Sequence, residues 1–246
     1  MKHEKRKTRI IAIVNRKGGV GKTTTAKNLA YELTKDGKHV LIVDLDPQCN
    51  STKGLCRKKH HKKTVVNMLL KESIKRCTTR TTNGLDMIAG DTMLASLEIK
   101  SGILNQQLDE IKQSNTYDYI VMDTSPYFNK LTAEILLSTD LIIIPTQVDI
   151  DSLDGMSTTI HEIQTLCEGV KYKILYTQVN DLKSTHNDLD SLYAALQEHS
   201  FHTCIRYHRY AVKRARARCQ PLSKRYYRSN VAKDYKQLSK ELQEVL

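Results

Sequence analysis

The pattern of apolar residues indicates an α/β protein with a doubly wound, mostly parallel sheet and helices on both faces. Five short runs rich in Ile and Val are apolar throughout, which is typical of strands covered on both faces. Segments with helical patterns separate them, and strands that alternate with helices form parallel sheets. The predicted strands are Ile10–Val14, Val40–Val43, Tyr119–Met122, Leu141–Ile144 and Ile174–Val179, with Leu85–Ile88 as a candidate addition.

A glycine-rich loop follows the first predicted strand. Residues 15–25 read NRKGGVGKTTT. The three glycines let successive backbone N–H groups point inward, and the helix behind the loop presents its positive dipole end. Lys22 can then reach the β- and γ-phosphates of a nucleotide, and the Thr23 hydroxyl can ligate Mg²⁺. The usual spacing of such a loop would place glycine at Arg16; here Lys17 precedes the glycines and points out of the loop, free to contact a nucleotide on a second subunit.

Helices are predicted after the loop and near the C-terminus. The first begins at Thr23, carries an apolar stripe and ends at Gly37, a plausible residue for terminating a helix. Another is expected at Val65–Leu70, after a basic loop at Lys53–Lys63. The last segment, Tyr235–Leu246, has apolar residues at helical spacing. It could pack on the sheet or lie on a membrane; its glutamates and its lack of Phe and Trp favour packing.

Several motifs in order resemble the ParA/MinD family of dimerising ATPases. The segment Lys17–Thr24 resembles the deviant Walker A loop of that family. Asp44–Gln48 follows the second predicted strand as in ParA-type proteins, and Asp123–Pro126 resembles the Walker B segment, with Ser125 where many relatives have proline. Leu141–Pro145 and the spacing of the C-terminal residues also match. The chain resembles the small forms of the family, which lack an N-terminal DNA-binding domain.

The resemblance implies ATP and Mg²⁺ as ligands and assigns roles to residues. Catalytic roles fall to Lys17, which supplies charge across a dimer, to Lys22, and to Asp46, which positions or deprotonates the attacking water. A helix-capping role for Asp46 is the alternative. The resemblance also implies that Mg²⁺ would be held by Thr23, Asp44 and Asp123. The nucleotide contacts are Lys17, Gly18, Gly19, Val20, Gly21, Lys22, Thr23, Thr24 and, by position only, Asn180, for which a turn residue is the alternative.

The charge distribution predicts a polyanionic partner. The formal net charge is +12, and no Asp or Glu occurs from His199 to Lys233. Mixed charges would serve solubility better, so we expect this stretch to bind a polyanion. Nucleic acid is the favoured partner, and anionic lipid is the second candidate. The candidate DNA-binding residues are Arg206, Arg209, Lys213, Arg214, Arg216, Arg218, Lys224, Arg225 and Arg228.

Composition limits the remaining possibilities. The 246 residues suit one P-loop ATPase domain, residues 1–246, with a basic tail at 1–8, the basic loop at 53–63 and the basic region at 199–233. The six cysteines form no Cys-x-x-Cys pair, which favours reduced thiols over disulfides, a zinc site or an iron–sulfur cluster. No apolar run approaches the ~18 residues of a membrane span.

Together these features predict a partition ATPase. The resemblance implies an ATP-dependent homodimer, non-specific binding to double-stranded DNA and stimulation by a ParB-like centromere-binding protein, in the cytoplasm and on the nucleoid of a bacterium. The cycle would segregate a plasmid or chromosome. Two alternatives remain: a MinD-like membrane-cycling ATPase, and a metabolic or kinase relative that uses the same loop.

Overall fold

The strands of the protein form one sheet, as seen in a computed structural model that describes residues 7–57, 60–180 and 196–246. The strands are β1 (Arg9–Ile13), β2 (Val40–Leu45), β3 (Thr78–Arg80), β4 (Asp86–Ile88), β5 (Tyr119–Thr124), β6 (Leu141–Thr146), β7 (Tyr172–Val179) and β8 (Ile205–Arg206). Their spatial order is β3-β4-β2-β5-β1-β6-β7-β8. All neighbours pair in parallel except β3 and β4, which are antiparallel. The predicted fold class is confirmed.

Helices cover both faces of this sheet. They are α1 (Lys22–Lys35), α2 (Asn50–Leu55), α3 (Val65–Leu69), α4 (Ile74–Cys77), α5 (Ile103–Ser114), α6 (Lys130–Ser138), α7 (Ile150–Leu166), α8 (Arg209–Ala217), α9 (Leu222–Arg225) and α10 (Asn230–Val245). The helices α3, α5, α6 and α7 share one hydrophobic layer, whereas α1, α8, α9 and α10 share the other.

Strand β1, in the centre of the sheet, shows why the buried strands are apolar throughout. Successive side chains of a strand point to opposite faces. Ile10 and Ala12 of β1 therefore belong to the first hydrophobic layer, and Ile11 and Ile13 belong to the second. All four side chains are fully buried. A polar residue at any of these positions would lie in one of the two hydrophobic layers. The sequence of β1 therefore cannot alternate between apolar and polar residues.

Local departures from the predicted elements are small and have clear causes. The candidate strand at 85–88 is confirmed as β4, and β3 adds an antiparallel edge that the sequence did not reveal. The prediction of a loop from Lys53 was wrong for its first three residues, because α2 extends to Leu55, which is buried under α1. Lys58, Lys59 and residues 1–6 of the predicted basic tail lie outside the described residues.

The C-terminal helix α10 packs on the body of the protein, as predicted. Its Ser229 N-cap accepts a hydrogen bond from the backbone of Ala232. Tyr235, Leu238 and Leu242 are buried against the layer that contains α1. The Tyr235 hydroxyl lies 3.3 Å from the Thr25 hydroxyl of α1. The apolar stripe is thus consumed by internal packing.

Among the described residues, no two cysteines form a disulfide bond, and no group of three or more His, Cys, Asp or Glu residues could hold a metal ion by itself. In the same part of the chain, a helix with the length and apolar character needed to cross the bilayer is not found.

We expect Leu238→Ala to lower the free energy of unfolding by about 2–4 kcal/mol, because it opens a cavity between α10 and α1. Urea unfolding monitored by circular dichroism measures the effect. Lys240→Ala, at an exposed position of the same helix, is the matched control and should change stability by less than about 0.5 kcal/mol. Equal effects of the two substitutions would show that the stripe does not hold the helix in place.

Candidate nucleotide and magnesium site

The loop between β1 and α1 has the backbone geometry of an anion cradle. Gly19 and Gly21 adopt φ values of +80° and +99°, in the left-handed region that favours glycine. The helices α6, α7 and α10 have side-chain N-caps, whereas α1 starts after Gly21 with no capping side chain and no acidic residue in its first turn. Its first N–H groups are therefore left for an anion.

Strand β7 braces this loop from the side. The Thr177 hydroxyl donates to the Val20 carbonyl at 2.7 Å. The Gln178 side-chain amide donates to the Gly19 carbonyl, also at 2.7 Å. Gln178 has a φ of +58° at an irregularity in the pairing of β7 with β8, and this turn of the backbone brings its side chain to the loop. The predicted adenine contact, Asn180, lies exposed at the end of β7; Gln178 lines a cavity beside the loop, and Asn180 does not.

Lys22 is held within the loop. Its ammonium donates to the carbonyls of Asn15 at 2.7 Å and of Lys17 at 2.9 Å. The side chain is only 8% exposed. Burial lowers its pKa to about 8, while Asp123 and Asp46 act in the opposite direction. A buried cation is thus placed where a polyphosphate would meet the loop.

Two buried carboxylates face each other across neighbouring strands. Asp44 of β2 and Asp123 of β5 are directly paired in the sheet register, and both are fully buried. One oxygen of Asp44 accepts hydrogen bonds from the backbone and hydroxyl of Thr52, at 2.8 and 2.6 Å. Gly90 packs so closely on Asp44 that a Cβ there would lie 2.8 Å from the Asp44 Cγ. The pair is therefore fixed by its surroundings.

The second carboxylate leaves a coordination position open. Asp123 Oδ2 accepts a hydrogen bond from the Ser51 hydroxyl at 2.8 Å. Its Oδ1 is buried and makes no hydrogen bond of ordinary geometry to the described residues. The Thr23 hydroxyl faces this carboxylate from α1. Burial, and then the charge of Asp44, raises the pKa of Asp123; burial also raises the pKa of Asp44. Mg²⁺ prefers oxygen ligands, and the two buried carboxylates form no ion pair in the part of the chain that the structure describes. Thr23, Asp44 and Asp123 would therefore hold Mg²⁺.

Asp46 follows β2 directly and lies at the cavity wall. Its Oδ1 accepts a hydrogen bond from the backbone of Gln48 at 2.9 Å, and its side chain is 6% exposed. It lines a cavity of about 330 Å³ together with loop residues Gly18–Thr24 except Val20. This bond lies in the turn before α2, whose N-cap is Cys49 and has no side-chain cap, so the helix-capping alternative is wrong; the role of Asp46 toward water stays a prediction.

Lys17 is engaged by its own subunit. Its ammonium lies 3.0 Å from an Asp149 carboxylate oxygen at the start of α7. The stem of Lys17 passes over Gly155, where a Cβ would come within 3.3 Å. Asp149 also caps α7 by accepting hydrogen bonds from the backbone and hydroxyl of Ser152. The bond from the Ser152 hydroxyl lowers the pKa of Asp149 most, and the bond from the Lys17 ammonium lowers it further. The expectation that Lys17 is free to contact a second subunit was therefore wrong for this structure, and its role across a dimer stays a prediction.

The basic region divides into three groups. Arg206 is paired with the buried carboxylate of Asp234, at 3.0 Å from its Nε, so its charge is already neutralised. Arg216 donates to the Asn50 side chain at 3.0 Å and lines the 330 Å³ cavity. Arg209, Lys213 and Arg216 line an adjoining cavity of about 390 Å³ that also contains Gln178. The rest of the set is exposed away from both cavities: Arg214, Arg218, Lys224, Arg225 and Arg228.

Comparison with known proteins identifies related sequences. Residues 8–175 match the family model described as an AAA domain. The sporulation initiation inhibitor protein Soj of Bacillus subtilis is 37% identical over 166 residues, covering 63% of this chain and 65% of Soj. The chromosome partitioning protein ParA of Caulobacter vibrioides is 33% identical over 166 residues, covering 63% of this chain and 62% of that protein. The alignments span less than two thirds of either relative.

Solved structures share the fold. A chain of the MinC:MinD cell division protein complex of Aquifex aeolicus has a TM-score of 0.83 at 20% identity, with 96% of each chain covered. The cobyrinic acid a,c-diamide synthase of Mycobacterium smegmatis, solved with an ATP analog and magnesium, has a TM-score of 0.76 at 24% identity, covering 96% of this chain and 94% of that chain. At these identities the likeness shows the architecture alone.

We expect Mg²⁺ to bind more tightly at pH 8 than at pH 6, because the raised pKa values of Asp44 and Asp123 let protons compete with the metal near neutral pH. Calorimetric titration in two buffers of different ionisation enthalpy counts the protons released. Asp123→Asn should abolish the release, whereas Asp154→Asn, at an exposed site on α7, should leave it unchanged. Metal binding without proton release at pH 6 would contradict this assignment.

Proposed function

The chain belongs to the AAA domain family as a member of its ParA type, and on this premise we propose that it is a Mg²⁺-dependent ATPase that dimerises on binding ATP. The dimer binds double-stranded DNA without sequence preference, and a ParB-like partner stimulates hydrolysis. The cycle of binding and release segregates a plasmid or chromosome. Nucleoid association in a bacterial cytoplasm follows from the same proposal.

One observation supports this proposal above the others. Lys22, Asp44, Asp46 and Asp123 approach one another at the carboxyl edge of the sheet, beside the uncapped start of α1. Open α/β sheets bind ligands at this edge. Phosphoryl transfer needs a phosphate cradle, a metal held by oxygen donors and a group that orients water. The loop backbone and Lys22 would form the cradle, Asp44 and Asp123 would hold the metal, and Asp46 would orient the water.

Each residue has a distinct task in the proposed reaction. The loop backbone and Lys22 bind and orient the triphosphate. Mg²⁺, held by Thr23, Asp44 and Asp123, neutralises charge on the phosphate oxygens when it is bound. Asp46 accepts a proton from, or orients, the attacking water. Lys17 of one subunit stabilises the developing charge on the nucleotide of its partner.

The Lys17–Asp149 ion pair has to open before Lys17 can act across a dimer. Both side chains are partly exposed, at 28% and 43%, so the pair is weakly stabilising. ATP bound to a second subunit offers Lys17 a polyphosphate in place of one carboxylate. If Lys17 left Asp149 and bound the phosphate of the second subunit, nucleotide binding would be coupled to dimer formation.

We expect Asp149→Asn to strengthen ATP-dependent dimerisation about two- to fivefold, because asparagine can still cap α7 but no longer holds Lys17 by charge. Analytical ultracentrifugation with a slowly hydrolysed ATP analogue measures the dimer constant. Asp151→Asn, exposed in the first turn of the same helix, is the control. Lys17→Ala should abolish the dimer. Weaker dimerisation of Asp149→Asn would show that Asp149 itself belongs to the interface.

We expect Asp46→Ala to bind ATP and dimerise but to hydrolyse it at least about a hundredfold more slowly, because water loses its proton acceptor. Phosphate release measures turnover, and light scattering measures the accumulated dimer. Asp154→Ala, exposed on α7, should turn over normally. Unchanged turnover of Asp46→Ala would leave Asp46 only with its bond to Gln48 in the turn before α2.

DNA binding is proposed for the exposed basic set Arg214, Arg218, Lys224, Arg225 and Arg228. Neutral tyrosines accompany it: the Arg214 guanidinium lies 4.6 Å from the centre of the Tyr210 ring, and Arg228 lies 5.4 Å from that of Tyr227. Two copies in a dimer raise the affinity through effective concentration. The membrane-cycling alternative loses its main support, since the apolar stripe of α10 is buried.

We expect Arg214, Arg218 and Arg225 replaced together by Ala to weaken binding to all duplexes alike. The slope of log K against log salt concentration should flatten by up to about 0.9 for each DNA phosphate that the variant no longer neutralises. Fluorescence anisotropy on two unrelated duplexes, with ATP and with ADP, measures both quantities. The control variant replaces the exposed residues Lys75, Lys100 and Lys236 by Ala, which removes the same number of positive charges outside the basic region. If both triple variants lose affinity equally, net charge alone explains the binding.

A further inference from the structure

Lys27 is a buried cation without a partner among the described residues. It lies on α1, is 7% exposed and lines the 330 Å³ cavity that begins at the P-loop, the segment Asn15–Thr23. Its ammonium donates no hydrogen bond and forms no ion pair to any described residue within the usual distances. Lys22, by contrast, donates to two carbonyls. Burying an unpaired charge is costly, so the position of Lys27 calls for a ligand.

The packing around Lys27 holds its side chain in place. A Cβ at Gly54 of α2 would lie 3.1 Å from Lys27 Cδ and would collide with the ammonium. The glycine therefore provides the passage through which the lysine extends. Asn28, next along α1, is already satisfied: it donates to the Thr24 carbonyl at 2.7 Å and accepts from the Leu222 backbone at 2.7 Å. The Lys27 ammonium, by contrast, has no such bond to a described residue.

A second cation lines the same cavity. Arg216 reaches it from α8, and the bond from its guanidinium to Asn50 at 3.0 Å fixes its direction. The two charges are near enough that Arg216 lowers the pKa of Lys27. Two like charges in a partly enclosed cavity repel each other unless an anion lies between them.

We propose that Lys27 and Arg216 form an anion subsite beside the P-loop, and that it binds a phosphate group. The cavity is continuous from the loop past Thr24 to both side chains. A phosphate accepts several charge-assisted hydrogen bonds at once, which matches an ammonium and a guanidinium with donors to spare. Because the subsite adjoins the P-loop, its assignment to phosphate rests on the proposed nucleotide function.

A bound anion would alter the charge state of Lys27. In its absence, burial lowers the pKa of Lys27 to about 8, Asp123 and Asp44 act to raise it, and Arg216 acts to lower it. A phosphate beside the ammonium would favour the charged form. The alternative is that Lys27 serves only as a distant counter-charge for Asp44 and Asp123.

Two sources could supply the phosphate: the α-phosphate of the nucleotide in the P-loop, or a separate phosphate ion. Calorimetry with ATP, ADP and pyrophosphate, and with inorganic phosphate added to the ADP-loaded protein, separates them. The variants are Lys27→Met, which keeps the apolar stem, and Arg216→Met. Lys236→Met, exposed on α10, is the control. Because Arg216 is exposed, Arg216→Met remains informative if Lys27→Met fails to fold.

If the subsite holds the α-phosphate, both variants bind ATP and ADP about tenfold or more weakly, while pyrophosphate affinity is unchanged. If it holds a separate ion, both variants lose phosphate binding to the ADP-loaded protein, with ADP affinity unchanged. Equal affinities of wild type and both variants for every ligand would overturn the subsite and leave Lys27 as a counter-charge. Wild-type protein that binds none of these ligands would overturn the nucleotide function itself.

Discussion

The charge of two buried carboxylates governs the arrangement of the site. Asp44 and Asp123 are opposite one another in the register of β2 and β5, with no solvent around either side chain. Neighbouring strands are typically about 4.8 Å apart, and two unit charges at such a spacing repel by about 3 kcal/mol at the effective dielectric constant of ~20 typical of proteins. Burial alone would favour their protonation. Hydroxyls of Thr52 and Ser51 and the charge of Lys22 offset part of this cost, and bound Mg²⁺ would offset more.

The fold brings these charges to one edge because every strand that carries them runs in the same direction. β1 leads into the loop, β2 into Asp46 and β5 into Ser125, so their carboxyl ends form a single rim. β7 and α7 close the rim from the side through Gln178 and Asp149. The basic helix α8 adjoins the same rim through Arg216, so the nucleotide pocket and the proposed DNA-binding surface share a helix.

The sequence was sufficient for the architecture and for the phosphate loop, because both depend on local patterns. Continuous Ile and Val runs identify buried strands, and glycines beside a lysine identify the loop. Contacts between distant segments carry no such pattern. The pairing of Arg206 with Asp234, the hold of Asp149 on Lys17 and the left-handed turn at Gln178 all depend on how β7, α7 and α10 are placed in space. Lys27 and Arg216 lie 189 positions apart in the chain (216 minus 27) and become neighbours only in the fold.

Binding of Mg²⁺-ATP to Lys22→Met, measured by calorimetry beside the wild type, tests the central claim most directly. The account predicts that the wild type binds the nucleotide and that the variant loses about a hundredfold or more in affinity, because the β- and γ-phosphates lose the buried cation of the loop. Circular dichroism establishes that the variant is folded. Equal affinity of a folded Lys22→Met variant would contradict the account, since the polyphosphate would then lie elsewhere on the protein.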